Sequence, residues 1–147
     1  MVKYRKLSHT VYHCNFHIVF VPKYRFRVLE GKIQEFVEKK IRQISEWHQV
    51  GIEELSVQID HVHMLVSIPP KLSVSNYVGI IKGKTAITLF EKKRYLREKP
   101  YWGNHFWARG YFVSTVGIDE NLIKRYIQHQ ESEDRKKEQE DKEYKLF

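Results

Sequence analysis

Cysteine is nearly missing from this chain, which has Cys14 alone among its 147 residues. One thiol excludes a disulfide framework and a cysteine-built zinc site, and it fits a reducing compartment. Apolar runs long enough to cross a bilayer are missing too. The opening MVKYRKLSHTVYHC is charged and lacks the continuous apolar stretch of a secretion signal. No glycine-rich phosphate loop is present, and KGK at 82–84 reads as helix surface. Acidic residues do not occur at all from 1 to 29, where Lys3, Arg5, Lys6, Lys23, Arg25 and Arg27 all lie. These absences predict a soluble, cytoplasmic protein with no membrane partner.

What is there suffices for one domain, 1–147: 41% hydrophobic and 14% aromatic residues can build a core without metals or cross-links. Net charge is +8. A second basic block holds Lys82, Lys84, Lys92, Lys93, Arg94, Arg97 and Lys99 against Glu91 and Glu98. Aromatic residues interleave with the bases in PKYRFR and KKRYLREKPYW, a pattern suited to a polyanion whose bases can stack. Charge alone leaves a merely solvated basic surface equally open. Residues 131–147 read as a charged tail or a helix extension.

VYHCNFHIVFV reads as a strand, with Cys14, Phe16, Ile18 and Phe20 on the buried face and His13, Asn15 and His17 on the other. Cys14 should therefore be inert. A helix follows over roughly 30–49, with Ile33, Phe36, Val37, Ile41, Ile44 and Trp47 at helical spacing, ended by Gly51. IEELSVQ is a second strand, Ile59-Asp60 a tight connection, and HVHMLVSI a third strand stopped by Pro69-Pro70. Ser73 or Ser75 can cap a second helix with the stripe Val74, Tyr77, Val78, Ile81, Thr85 and Leu89. HFWARGYFVST is a fourth strand, and Gly117 and Asp119 introduce a last helix, ENLIKRYIQHQ. The order β-α-β-β-α-β then α predicts an α+β, ferredoxin-like (split β-α-β, RRM-like) antiparallel sheet with two helices on one face. The open face needs a cover, and the last helix is the natural one.

That open face carries chemistry. In QIDHVHMLVSIPP, Val62, Met64, Val66 and Ile68 share one side of the strand, so His61 and His63 share the other. Two adjacent imidazoles cannot both protonate comfortably, but they can share one cation. On the last helix Tyr126 and Gln130 lie four residues apart, hence on one face. Taken alone, the histidines read first as a half-exposed surface pair and Tyr126 as packing in its apolar stripe; the combination brings a nucleophile and a third, amide ligand to a histidine pair. A cation on His61, His63 and Gln130 would polarise a phosphoryl oxygen. A tyrosine hydroxyl, with a pKa near ~10, can attack phosphorus and later leave when a sugar hydroxyl attacks back. Such an exchange needs no nucleotide cofactor.

These residues resemble a known family. HVH is a His-hydrophobic-His motif, and with the downstream YIQHQ it is similar to the single-tyrosine HUH transposases of minimal bacterial insertion sequences. The resemblance runs from VYHCNFHIVFVPKYR through QIDHVHMLVSIPPKLSVS and KGKTA to HFWARGYFVSTVG and RYIQHQE, nearly the whole chain. It implies a homodimeric, nucleoid-associated nuclease and strand transferase on single-stranded DNA hairpins, with active sites shared between subunits. It also implies a 5′-phosphotyrosine link at Tyr126 and Mg²⁺ or Mn²⁺ on His61, His63 and Gln130. Lys23, Arg25, Arg27, Lys82, Lys84, Lys92, Lys93 and Arg94 are the candidate DNA contacts. His17 reads equally as a support of the metal site or as a surface histidine. Asp60 reads as a turn residue before it reads as a second support. His129 is near Tyr126 in sequence without a clear role, and Trp102, Phe106 and Trp107 could stack on bases or fill the core.

Two other readings stay open. RGYFVST at 109–115 is similar to the RNP1 signature of RRM domains, which would make the protein a non-catalytic RNA-binding module. That signature's small residue after the first aromatic is absent, and such a module needs neither HVH nor Tyr126. A domesticated relative that cuts chromosomal repeats would share all of the chemistry, and only flanking DNA would distinguish it.

Overall fold

The computed structural model describes residues 4–7, 9–93, 105–115 and 120–145, with side chains on the last segment at 121 and 123–137. Arg94, Trp102, Gly117 and Asp119 lie outside the described residues. In chain order the elements are β1 (Arg5–Leu7), β2 (Thr10–Tyr12), β3 (Asn15–Phe20), a 3₁₀ turn (Lys23–Arg25), α1 (Gly31–Trp47), β4 (Gly51–Gln58), β5 (His61–Ser67), α2 (Val74–Lys92), β6 (Phe112–Ser114) and α3 (Glu120–Lys145). The main sheet runs β4-β5-β3-β6 with every neighbour antiparallel. This is the ferredoxin-like order expected, with α3 added. Among the described residues no helix is long and apolar enough to cross a membrane.

Strict alternation builds β5. Val62, Met64 and Val66 are 0–1% exposed and meet Ile18, Phe20, Ile41, Ile44, Tyr77 and Ile81 in one core. Helix α2 starts where Ser73 Oγ accepts the Asn76 N–H at 3.1 Å, and it buries Tyr77, Val78, Ile81, Thr85 and Leu89 as its stripe predicts. Two hydroxyls enter this core together: Ser45 Oγ and Tyr77 Oη lie 2.6 Å apart. Burial pushes the Tyr77 phenol up to about 12, against the opposing Ser45 hydrogen bond.

Four expectations need correction. The first strand is two elements, because β2 pairs with β1 in a separate two-stranded sheet and only β3 joins the main one. Regular strand pairing lapses at His13 and Cys14, where the Cys14 carbonyl accepts the Ile68 N–H at 2.9 Å; Cys14 is half-buried rather than enclosed. Gly51 does not end α1. Gln49 takes the left-handed position there, with φ 59, and Gly51 opens β4 beside the Arg5 guanidinium, which a side chain would meet. Trp47 is 58% exposed, with the Lys40 and Lys84 ammonium groups 5.6 and 5.5 Å from its ring.

The fourth strand is the last correction. Only Phe112–Ser114 pairs regularly. Phe106, Trp107 and Ala108 are all buried in succession, which a pleated strand with one solvent face cannot achieve. Gly110, at φ +80, breaks the run. Both aromatics belong to the core, and Trp107 Nε1 donates to Thr85 Oγ1 at 2.9 Å, so neither is free to stack on a base.

Tyr77→Phe should lower unfolding stability by about 1 kcal/mol, because the buried Ser45 hydroxyl loses its partner. Urea denaturation checks this, and an unchanged midpoint would mean that the pair contributes nothing net.

Candidate functional site

The face of β5 opposite the core holds His61 and His63, both partly exposed. Cross-strand pairing sets His63 against Val19 of β3 and Ser56 of β4. His17 sits diagonally on the same face, its ring centroid 5.7 Å from that of His63. Burial pulls the His63 pKa below its usual 6.5; nearby His17 and His61 add to this, and Glu54 opposes it. A neutral imidazole results, which is the form that can bind a cation. His63 Nε2 and His17 Nδ1 are buried without any hydrogen-bond partner.

Asp60 sits in the turn before β5, and its Oδ1 lies 2.8 Å from His61 Nδ1. A carboxylate on Nδ1 fixes the ring and leaves Nε2 for a ligand, a common support of metal-binding histidines. Asp60 Oδ2 is 3.5 Å from Arg25 Nε, and the same nitrogen is 3.3 Å from Glu131 Oε2 on α3. The Tyr24 backbone N–H donates to Asp134 Oδ2 at 2.9 Å. Burial raises the Asp134 pKa, against that hydrogen bond and the nearby Lys23, Lys82 and Lys137.

Helix α3 lies across this face of its own sheet. Ile123 and Ile127 are buried with Val19, Val21 and Ala108, and Phe112 and Tyr126 pack on the same cluster. Tyr126 is therefore over the strand next to the histidines, because Val19 pairs with His63. Its ring is 5.9 Å from that of Phe112, and its Oη is buried without a full hydrogen bond. Burial pushes the phenol well above its ordinary 10; the Gln130 amide opposes the rise and Asp134 adds to it. Gln130, one turn on, is beside Gly110, where a Cβ would stand 3.5 Å from Nε2.

Lys82 supports this floor. Its Nζ donates to the carbonyls of Ala108 and Gly110, each at 2.7 Å, and burial pulls its pKa down to about 8 against the pull of Asp134. Lys82 is thus turned inward, whereas Lys84 and Lys92 are exposed, as is Arg27. Lys92 Nζ is 5.2 Å from the Phe36 ring and Lys23 Nζ 5.3 Å from the Tyr24 ring. Lys93 is half-buried. His129 points to solvent, 4.0 Å from Glu133.

Sequence reasoning did not find Glu131, Asp134 or the inward use of Arg25 and Lys82. Its one signal was the acid-free stretch 1–29, whose bases need counter-charges from elsewhere. Among the described residues no three His, Cys, Asp or Glu side chains gather around a common point. A cation here would rest on the two imidazoles, with an amide such as Gln130 as a further donor. The orphaned His63 nitrogen and the Asp60-oriented His61 fit that role.

Residues 10–130 match the family model described as "Transposase IS200 like". The chain is 44% identical over 135 residues to the transposase for insertion sequence element IS200 of Salmonella typhimurium, covering 92% of this chain and 88% of the relative. It is 31% identical over 121 residues to the ISDra2 transposase TnpA of Deinococcus radiodurans, covering 82% and 86%. A crystal structure from Deinococcus radiodurans R1, described as that of a transposase candidate, superposes with a TM-score of 0.78 at 28% identity, covering 86% of this chain and 97% of that one. A REP-associated tyrosine transposase bound to a REP hairpin shares the fold, with a TM-score of 0.53 at 12% identity over 85% and 68%. The chain belongs to the IS200-like transposase family of minimal insertion sequences.

Proposed function

We propose that this transposase cleaves and rejoins single-stranded DNA through Tyr126, with a divalent cation on His61, His63 and Gln130. The observation that supports the reading most is the shared sheet face: α3 lays Tyr126 over Val19, the cross-strand partner of His63, and His63 Nε2 is a buried polar atom without a protein partner. Buried polar atoms without partners are costly and rare, and they cluster where a substrate or ion completes them.

A bound cation would neutralise charge on the phosphoryl oxygens and help to orient the scissile phosphate. Asp60 holds His61 in the ligating tautomer, and His63 remains neutral. Tyr126 Oη attacks the phosphorus; a P–O bond forms to the phenol oxygen as the P–O3′ bond breaks, and the phenol proton ends on the departing 3′ oxygen. The resulting 5′-phosphotyrosine is reversed when another 3′-hydroxyl attacks. Mg²⁺ or Mn²⁺ is what the family resemblance implies, since imidazole ligands by themselves would also suit softer metals. The hairpin carried by the REP-associated neighbour supports folded single strands as the substrate class. Arg27, Lys84, Lys92 and Lys93, together with Lys23 and Arg94, supply the phosphate contacts in this reading; Arg25 is set apart from them, because its Nε faces Glu131 and Asp60. Lys82 supplies none, because its ammonium group is committed to two carbonyls. An RNA-binding role is disfavoured because α3 covers the stacking face that an RRM would use. A domesticated nuclease would share the same site.

Five outcomes are expected. Tyr126→Phe should bind a hairpin oligonucleotide within twofold of wild type and form no covalent adduct on a denaturing gel. His61→Ala should remain folded and lose cleavage by about 100-fold or more; normal cleavage by it would remove His61 from the ligand set. Neutralising Arg27, Lys84 and Lys92 together should flatten the salt dependence of binding by up to about three phosphate contacts, and an unchanged slope would make these charges merely solubilising.

In metal-free protein, the His63 imidazole should titrate below 6.5 by NMR. Its share of stability is present above 6.5 and is lost as pH falls toward the lower folded value; a midpoint at or above 6.5 would contradict the burial argument. Finally, a homodimer with shared sites requires α3 to leave its own sheet for that of its partner. Mixed dimers of His61→Ala and Tyr126→Phe chains should then regain cleavage, whereas mixtures that exchange subunits and stay inactive would place the tyrosine on its own sheet.

A further inference from the structure

We propose that Arg25 is a positioning residue, whose guanidinium ties the tyrosine helix to the histidine strand through Glu131 on one side and Asp60 on the other. The proposal rests on the reading of Tyr126, His61 and His63 given above. Arg25 Nε lies 3.3 Å from Glu131 Oε2 and 3.5 Å from Asp60 Oδ2, and Asp60 Oδ1 continues the line to His61 Nδ1 at 2.8 Å. One unbroken chain of charge thus joins α3 to a ligand of the candidate metal site.

The turn that presents Arg25 is strained. Tyr24 and Arg25 both adopt left-handed backbone conformations, with φ 57 and 54, and neither is glycine. Each such residue costs on the order of 1 kcal/mol, and strain of this kind persists where surrounding contacts require it. The contacts are with α3: the Tyr24 N–H is directed to Asp134, and the Arg25 side chain to Glu131. Tyr126, Gln130 and Asp134 are successive fourth residues, so they follow one line along the helix. Asp134 is eight residues from Tyr126, about 12 Å at the helical rise. Fixing residues 131 and 134 therefore fixes where Tyr126 sits along the sheet.

Arg25 also separates two carboxylates. A single ion pair with 30% exposed partners would contribute little, but removing the cation between Asp60 and Glu131 leaves like charges facing each other. That repulsion would drive α3 away from β5. A Glu131→Gln change made in addition should relieve it, so the double variant should be better than the single one.

The test uses the full-length protein and has two readouts: amide hydrogen exchange across α3 without metal, and cleavage of a single-stranded hairpin oligonucleotide with Mn²⁺. Arg25→Gln should speed exchange in α3 and lower kcat, each by about tenfold, with KM for DNA within twofold. Arg25→Gln/Glu131→Gln should recover much of both losses. The proposal is overturned if Arg25→Gln stays within twofold of wild type in both readouts, or if the double variant is no better than the single one. If Arg25→Gln does not fold, Arg25→Lys, which keeps the charge but has no nitrogen at the Nε position, should show the same two effects in weaker form, and wild-type behaviour from it would be contrary. A wild-type protein that never cleaves would sink the tyrosine reading, while the exchange data would still decide the latch.

Discussion

Ile123 and Ile127 pressed against Val19, Val21 and Ala108 form the contact on which the rest depends. A four-stranded sheet with two helices on one side leaves its other side to solvent, and here that side carries three histidines. Apolar burial by α3 covers part of it and brings Tyr126 over the strand beside His63. Without that packing, the histidines would be ordinary surface residues and Tyr126 a residue on a charged, solvated helix.

The polar contacts around this apolar patch serve different ends. Lys82 holds the backbone at Ala108 and Gly110 from below, and so shapes the floor against which α3 packs. The 3₁₀ turn holds the helix from the side through Asp134 and Glu131. The half-buried Lys82 ammonium, whose pKa is pulled down, and the half-buried Asp134 carboxyl, whose pKa is pushed up, are both partly withdrawn from water. Electrostatic interactions with a phosphate gain strength in such surroundings.

Much of the architecture was legible because it followed from periodicity. The alternation of Val62, Met64 and Val66 with His61 and His63 fixes which face is which, and the stripe of α2 with Ser73 before it fixes a helix and its start. Elements whose residues do not alternate were not legible. The run Phe106-Trp107-Ala108 reads as a strand by composition, yet all three side chains are inside. Trp47 reads as core by spacing, but it is the last residue of α1, is largely exposed and has two lysine ammonium groups over its ring instead. The site was legible as residue types and not as connections: Asp60 looked like a turn residue, and the tail containing Glu131 and Asp134 looked merely charged. Long-range ion pairs such as Arg25 with Glu131 leave no local pattern to read. The inward contacts of Lys82 left no pattern for a related reason, since a lysine stem can carry its charge inward to two carbonyls.

In the function proposed, Tyr126 becomes covalently joined to DNA on this sheet face. Wild-type protein incubated with a single-stranded hairpin oligonucleotide and Mn²⁺, then denatured and digested with protease and nuclease, should yield one nucleotide-bearing peptide. Fragmentation by mass spectrometry should place the phosphate on Tyr126. A phosphate on any other residue, Tyr24 or Tyr111 for example, or an intact product with no adduct under conditions in which DNA is cut, would contradict the account.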